Sequence, residues 1–414
     1  MEVVFAHCAG LDVHKKTVVA CVFPQGEIQR LIKTFPTTLA GLEALAAWLS
    51  GLGVTHVAME STGVYWKPVF NVLVPFFEVW IVNPRELKQV PGRKTDVKDA
   101  EWIAQLMRHG LLKRSFIPDM EQRDLRDLTR YRTRLIAERS SASNRLQKIL
   151  EDANIKLSSV ATDIQGVSAR AMLAAMIDGE TDVSQLADLA RGRMRSKIPD
   201  LEAALAGSIR QHHRFMWREV LYHLDELNAR LATLDAQIRQ LTAPYESLIA
   251  RLDAIPGVDR RTAEVILAEI GPNVTPFPTA QHLASWACLC PGNNISGNKR
   301  RSGKTRHGQN WLRAALVEAA WAASRTKDTY LSSQFHRLRA RRGDKRAAVA
   351  VAHSILIVVY HLLAKPEAVF QELGGDYFLK RNAEQEERRA VRKLISLGFT
   401  VTLAPAQAAA PVPS

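Results

Sequence analysis

Two carboxylates three residues apart, Asp96 and Asp99, open a stretch with helical apolar spacing at Trp102, Ile103, Leu106 and Met107. On a helix that spacing puts both acids on one face. Like charges so placed repel unless a cation lies between them, and hard divalent ions take carboxylate oxygens. The same pair also serves as an N-cap with a first-turn acid, which the helix dipole favours. Two further acids stand upstream. Asp12 is at or just past the end of the first expected strand, and Glu60 closes a short apolar strand that starts near His56. Taken singly, Asp12 reads as a turn acid and Glu60 as a strand-end charge. Taken together, Asp12, Glu60, Asp96 and Asp99 form a set from three segments that is stable only when metal neutralises it. Two ions about 3.5–4 Å apart on such a set would clamp the attacking and leaving oxygens of a phosphodiester.

The elements that must carry these acids follow from the pattern around them. Val3–Ala6 and Thr17–Phe23 are β-rich, Pro24-Gln25-Gly26-Glu27 is a turn, and Ile28–Thr34 returns as a third strand. Leu39–Leu52 has helical spacing and stops at Gly53. His56–Glu60 is a strand, about Val64–Phe76 a helix, and Val79–Val82 a strand ended by Asn83-Pro84. Three meandering strands followed by helix, strand, helix, strand, helix is the element order of a ribonuclease-H-like fold. In an open mixed sheet, ligands gather outside the strand carboxyl ends, where the four acids would meet.

The chain has 414 residues, enough for two or three domains. Lys and Arg total 56 against 42 Asp and Glu, a net charge of +14, which points to a polyanionic partner and to nucleic acid before membrane. No apolar run is expected to reach the roughly 18–20 residues that span a bilayer. The start lacks the basic region of a signal peptide. Cys8, Cys21, Cys288 and Cys290 form no disulfide framework, and the C-x-C at 288–290 has no second ligand pair for zinc, so free thiols in a reducing cytoplasm are expected.

From Gln122 to about Ile155 the chain is basic and helical. Leu125, Leu128, Leu135, Leu146 and Ile149 make the apolar stripe, with Arg123, Arg126, Arg130, Arg132, Arg134, Arg139 and Arg145 around it. That density makes phosphate contact by residues such as Arg126 and Arg130 plausible. Residues 156–210 are further helices without a functional reading. Trp217, Val220, Leu224, Leu227, Leu231, Leu234, Ile238 and Leu241 form a coiled-coil seam, open either to the 122–155 helix or to a second copy, and self-association is expected. Ile255-Pro256-Gly257-Val258 before an apolar helix has the form of a helix-hairpin-helix, whose second helix would offer backbone N–H groups to a phosphate. The loop from Asn293 to Gly308 carries Lys299, Arg300, Arg301, Lys304, Arg306 and His307 and no acid, and its glycines let a phosphate approach the backbone. Arg337, Arg339, Arg341, Arg342, Lys345 and Arg346 make a second basic patch opposed only by Asp344. The Ala- and Pro-rich residues 402–414 read as a tail without regular structure.

Gly10-Leu11-Asp12-Val13-His14-Lys15, Met59-Glu60-Ser61-Thr62-Gly63-Val64-Tyr65-Trp66 and Lys94-Thr95-Asp96-Val97-Lys98-Asp99-Ala100 resemble the three motifs of the DEDD transposases of the insertion sequence 110 family. That family is related to the Piv DNA invertases, and its first domain is similar to the RuvC Holliday-junction nuclease. Ile255-Pro256-Gly257-Val258, Ser296-Gly297-x-Lys299 and Trp311-Leu312-Arg313 leading to Leu316-Val317-Glu318-Ala319-Ala320 resemble the family's second domain. The resemblance covers residues 1 to about 365, with a poorly matched middle.

The resemblance implies a fold class of α/β plus α. Residues 1–118 would be a RuvC-like catalytic domain, 119–248 a helical coiled-coil region, 249–368 a mostly helical serine transposase domain, and 369–414 an extension. It implies Mg²⁺ or Mn²⁺ on Asp12, Glu60, Asp96 and Asp99. It makes Ser296 the nucleophile that holds a DNA strand as a phosphoserine. The family's word often carries two serines, and here the first position is Ile295; Ser302, sharing the loop, stands well behind Ser296. Implied partners are the DNA of element ends and target, a noncoding bridge RNA, and further copies of the chain in a dimer or tetramer; the setting is cytoplasmic, with the nucleoid. A stand-alone RuvC-like nuclease, a DNA invertase without RNA guide and a non-catalytic nucleic-acid-binding derivative are the alternatives.

Overall fold

A computed structural model describes residues 2–23, 30–61, 63–87, 99–291, 294–296, 299–303, 305, 311–381 and 383–403, with the backbone alone at 85, 86, 294–296, 299–302 and 384–386. The chain forms two compact units, Met1–Pro118 and Asp119–Ser414.

In the first unit, strands β1 (Cys8–Val13), β2 (Thr17–Val22) and β3 (Leu31–Pro36) precede helix α1 (Leu39–Gly51). Then come β4 (His56–Glu60), α2 (Trp66–Leu73), β5 (Glu78–Val82), α3 (Pro84–Leu87) and α4 (Asp99–Arg108). The sheet order is β3-β2-β1-β4-β5, antiparallel across the first three strands and parallel from β1 to β4 to β5. Strand alternation sorts the side chains. Ala9, Leu11, Val13, Val57 and Met59 face α1 and α2, whereas Cys8 and Ala58 face Ile103, Leu106 and Met107 of α4. Helix α4 lies directly on β1 because Gly10 has no side chain. A Cβ there would stand 2.2 Å from the Ala100 carbonyl oxygen and 2.3 Å from the Ala104 nitrogen. Both obstacles are backbone, so Gly10→Ala is expected to destabilise the first unit by about 3 kcal/mol, the upper end of overpacking costs. A melting curve checks this; an unchanged midpoint would mean that α4 can shift freely.

One expected strand is corrected. Val3–Ala6, β-rich in composition, is not a strand. Its backbone straps onto the end of α4, with Val4 N and Phe5 N both donating to the Arg108 carbonyl. The first strand is Cys8–Val13, so Asp12 lies inside it near its end.

Among the described residues, the regular structure of the second unit is helical apart from one short hairpin. Helix α5 (Met120–Asp152) is followed by α6 (Leu157–Val160), α7 (Val167–Asp178), α8 (Val183–Asp188) and α9 (Ile198–Leu205), then α10 (Gln211–Thr242). Helices α5 and α10 run antiparallel, joined by Arg132–Asp235 at 2.6 Å, Arg139–Asn228 at 3.3 Å and, at the far end, His213–Asp152 at 2.8 Å. Trp217, Val220, Leu224, Leu227 and Leu231 are buried against Leu135, Leu146 and Leu150. The seam left open by the sequence is therefore closed within the chain. The α6–α9 segment caps one end of this pair, inserting Met172, Leu173, Leu186 and Leu201 into the same core.

Helices α11 (Glu246–Asp253), α12 (Arg260–Ile270) and α13 (Ala280–Trp286) lead to strands β6 (Asn294–Ser296) and β7 (Lys299–Ser302). Then follow α14 (Trp311–Ala323), α15 (Tyr330–Arg342), α16 (Asp344–Ala364), α17 (Tyr377–Arg381) and α18 (Ala383–Ser396). The turn between α11 and α12 forms as expected, with Gly257 at φ +85°. It is pressed on α14: a Cβ at Gly257 would meet the Ala319 oxygen at 2.2 Å. The N-terminus of α12 is capped by the Asp259 carboxylate, which accepts from Thr262 N at 2.8 Å.

A second correction concerns α16. By length and composition its 21 residues suffice to cross a membrane, contrary to the expectation of no such run. His353, Ser354 and His361 interrupt the apolar letters, which is why an unbroken run is not visible. Val351, Ala352, Ile355, Leu356 and Val359 are fully buried, as in the core helix of a globular unit.

Candidate active site

Asp12 and Glu60 come together through strand register. Gly10 pairs with Ala58 and Leu11 with Met59 across the parallel β1–β4 ladder. Partners in a parallel ladder point to the same face, so the alternation that turns Gly10 and Ala58 toward α4 also turns Asp12 and Glu60 there. Both lie at the carboxyl ends of their strands and are half-buried. Asp99 is the first residue of α4, next to Ala100, whose carbonyl rests over Gly10. The close approach permitted by Gly10 thus brings the start of α4 to the face and end of the sheet that hold the other two acids. Asp96, the fourth expected acid, lies outside the described residues.

His14, which the sequence did not single out as a site residue, has its Nε2 3.1 Å from Asp12 Oδ2; the Asp12 side chain is 17% exposed and that of His14 58%. The signal was present in the i, i+2 spacing, which puts the two side chains on one side of the strand. The donor set is all carboxylate oxygen, as a hard divalent ion requires. Among the described residues, no three His, Cys, Asp or Glu side chains stand close enough to enclose an ion.

Ser296 ends β6. The hairpin register sets it opposite Lys299 and sets Ile295 opposite Arg300, with Asn294 opposite Ser302. Arg301 is on the same strand as Lys299 and Arg300. Lys304 and Arg306 lie outside the described residues. Arg341 and Arg342 are exposed at the end of α15, and Lys345 and Arg346 are exposed just beyond them, while Arg339 pairs with Asp344 at 2.7 Å.

The arginines of α5 require a correction. Arg126, expected at a phosphate, is buried and donates through Nε to the Ala268 carbonyl at 2.9 Å and through Nη2 to that of Glu269. Burial lowers its pKa to about 10. Arg130 is held as a fork by Glu269, at 2.7 and 2.8 Å. Arg132 binds Asp235, and Arg134 stacks on the Trp311 ring at 5.6 Å. Glu264, also buried, binds Arg260 and Arg261. The sequence missed Glu264 and Glu269 as partners because each sits in the apolar pattern of α12. Glu269→Ala would leave a buried guanidinium without its acid, and we expect a loss of about 3–5 kcal/mol in denaturant unfolding. A loss under 1 kcal/mol would show that these arginines are not held by Glu269.

Comparison with known proteins agrees across both units. A family model for DEDD transposases of the IS110 group, described as Transposase, matches residues 9–155. A second, described as Transposase IS116/IS110/IS902 family, matches residues 249–337. A probable family 20 transposase of Pseudomonas aeruginosa is 24% identical over 86% of this chain and 93% of its own length. The transposase for insertion sequence element IS1111A of Coxiella burnetii is 23% identical over 77% of this chain and 80% of its own. An insertion element IS110 protein of Streptomyces coelicolor is 32% identical over 34% of each chain.

Proposed function

Because the chain belongs to the IS110 family of transposases, which cut and rejoin DNA, we propose that it moves an insertion sequence through a covalent bond between Ser296 and DNA. The observation that supports this reading is that Asp12 and Glu60 end adjacent strands on the sheet face covered by α4, which Asp99 opens. The strand order around them supports a RuvC-like reading of residues 1–118. Asp12, Glu60 and Asp99, with Asp96, would hold Mg²⁺ or Mn²⁺, which when bound neutralises the carboxylates and draws charge from the phosphate oxygens.

Ser296 Oγ loses its proton and forms a bond to phosphorus. The bond from phosphorus to the 3′-oxygen breaks, and that oxygen takes a proton. The products are a phosphoserine holding the 5′ end and a free 3′-hydroxyl. Rejoining is the reverse, with a new 3′-hydroxyl attacking phosphorus and Ser296 leaving. Lys299, Arg300 and Arg301, across the hairpin from the serine, offset the charge that builds on the phosphate. Lys304 and Arg306 would add positive charge for the DNA, and Arg341 and Arg342 would supply a second phosphate contact.

The chain would act on element ends and target DNA in the cytoplasm, with the nucleoid, as a dimer or tetramer guided by a noncoding bridge RNA. Residues 249–368 would form the serine domain and 119–248 a helical linker and oligomerisation region. The test is covalent trapping. Purified protein is incubated with Mg²⁺, element-end RNA and labelled junction DNA, then denatured. A protein–DNA adduct that disappears with chelator supports the reading, and its dependence on added RNA tests the guide. Cleavage with no adduct would favour a stand-alone RuvC-like nuclease.

A further inference from the structure

Helix α4 carries Asp99 but touches β1 through Gly10, Ala100 and Ala104. These small contacts fix distance better than rotation, and the larger side chains that interlock with the sheet, Ile103, Leu106 and Met107, lie toward the carboxyl end of the helix, away from Asp99. The carboxyl end of the helix is anchored by backbone: Arg108 O accepts from Val4 N at 2.9 Å and Phe5 N at 3.1 Å. At the other end, two residues beyond Asp99, Glu101 is bonded to Arg30, which stands just before β3. Gln105 Nε2 donates to the same Glu101 oxygen at 3.4 Å. The Glu101 side chain is 11% exposed, and its second oxygen is buried with no hydrogen-bond partner among the described residues.

A half-satisfied buried carboxylate is a poor stabiliser, and apolar replacement of such pairs is often neutral or favourable. What such a pair supplies best is register. We propose that Arg30 and Glu101 are positioning residues: their ion pair sets the rotation of α4 on β1, and with it the place of Asp99 relative to Asp12 and Glu60. This rests on the metal-site reading given above. Neither residue touches the reacting atoms.

The experiment compares full-length wild type with the double variant Arg30→Met/Glu101→Met. It reads amide hydrogen exchange along α4 and Mn²⁺ affinity by electron paramagnetic resonance. The double variant is expected to melt near the wild type, exchange about tenfold faster at Ile103 and Ala104 with Met107 unchanged, and bind Mn²⁺ about 10–100-fold more weakly. The swapped variant Arg30→Glu/Glu101→Arg is expected to recover most of the protection. Exchange within twofold of wild type overturns the proposal, as does faster exchange with unchanged Mn²⁺ affinity. Wild type that binds no Mn²⁺, with exchange still responding, sinks the metal reading and leaves the helix-positioning role standing. If the double variant does not fold, Arg30→Gln alone is read in the same way.

Discussion

Asp12→Asn is expected to lower DNA cleavage by roughly 10³-fold, or about 4 kcal/mol of transition-state stabilisation, while leaving the melting midpoint nearly unchanged. Asparagine keeps the size of the side chain and can still meet His14, so the strand has no reason to distort. What is lost is one negative charge at the carboxyl end of β1, on the face shared with Glu60 and Asp99. That charge is what the proposed divalent ion would bind. Single-turnover cleavage of junction DNA and a thermal melt on the same preparation check the two halves of the claim. Cleavage within tenfold of wild type would remove Asp12 from the site. A matching fall in melting temperature would make its role structural.

Ser296→Ala is expected to remove the denaturation-resistant protein–DNA adduct completely, with DNA affinity changed by less than about threefold. The reason is chemical rather than energetic: without Oγ no bond to phosphorus can form. The hairpin pairing of Ser296 with Lys299 does not depend on the side chain, since ladder bonds are backbone. Ser302→Ala, at the end of the opposing strand, is expected to keep the adduct. Gel separation after denaturation measures both variants, with fluorescence anisotropy for affinity. Persistence of the adduct in Ser296→Ala, and its loss in Ser302→Ala, would move the nucleophile across the hairpin.

Much of the first unit could be read from sequence because its signals are local. His56–Glu60 is bounded by polar and glycine residues, and the strand forms over the expected residues, with Glu60 at its end. Val3–Ala6 misled because β-propensity describes how a side chain suits a half-buried surface, and these residues meet the end of a helix instead. The α5 arginines misled for a different reason. Charge density in sequence shows that cations are present but not where their partners are. Glu269 lies 139 residues from Arg130, and nothing local announces it. The coiled-coil seam was visible, but an apolar stripe carries no mark of whether its partner is in the same chain. Glu101 was legible only as one more acid near Asp99; its tie to Arg30 is a matter of how the helix settles on the sheet.

The closure of the α5–α10 seam inside one chain has a consequence for abundance. A seam shared between two copies forms only when the protein concentration exceeds its dissociation constant. Here residues 153–210 tether the two halves, so each meets the other at an effective concentration on the order of millimolar. The hairpin therefore folds equally well when a cell holds one molecule or thousands. The seam residues buried in this pair are not open to a second copy, so their packing does not depend on protein concentration. A cell that holds very few copies therefore still holds this helix pair closed.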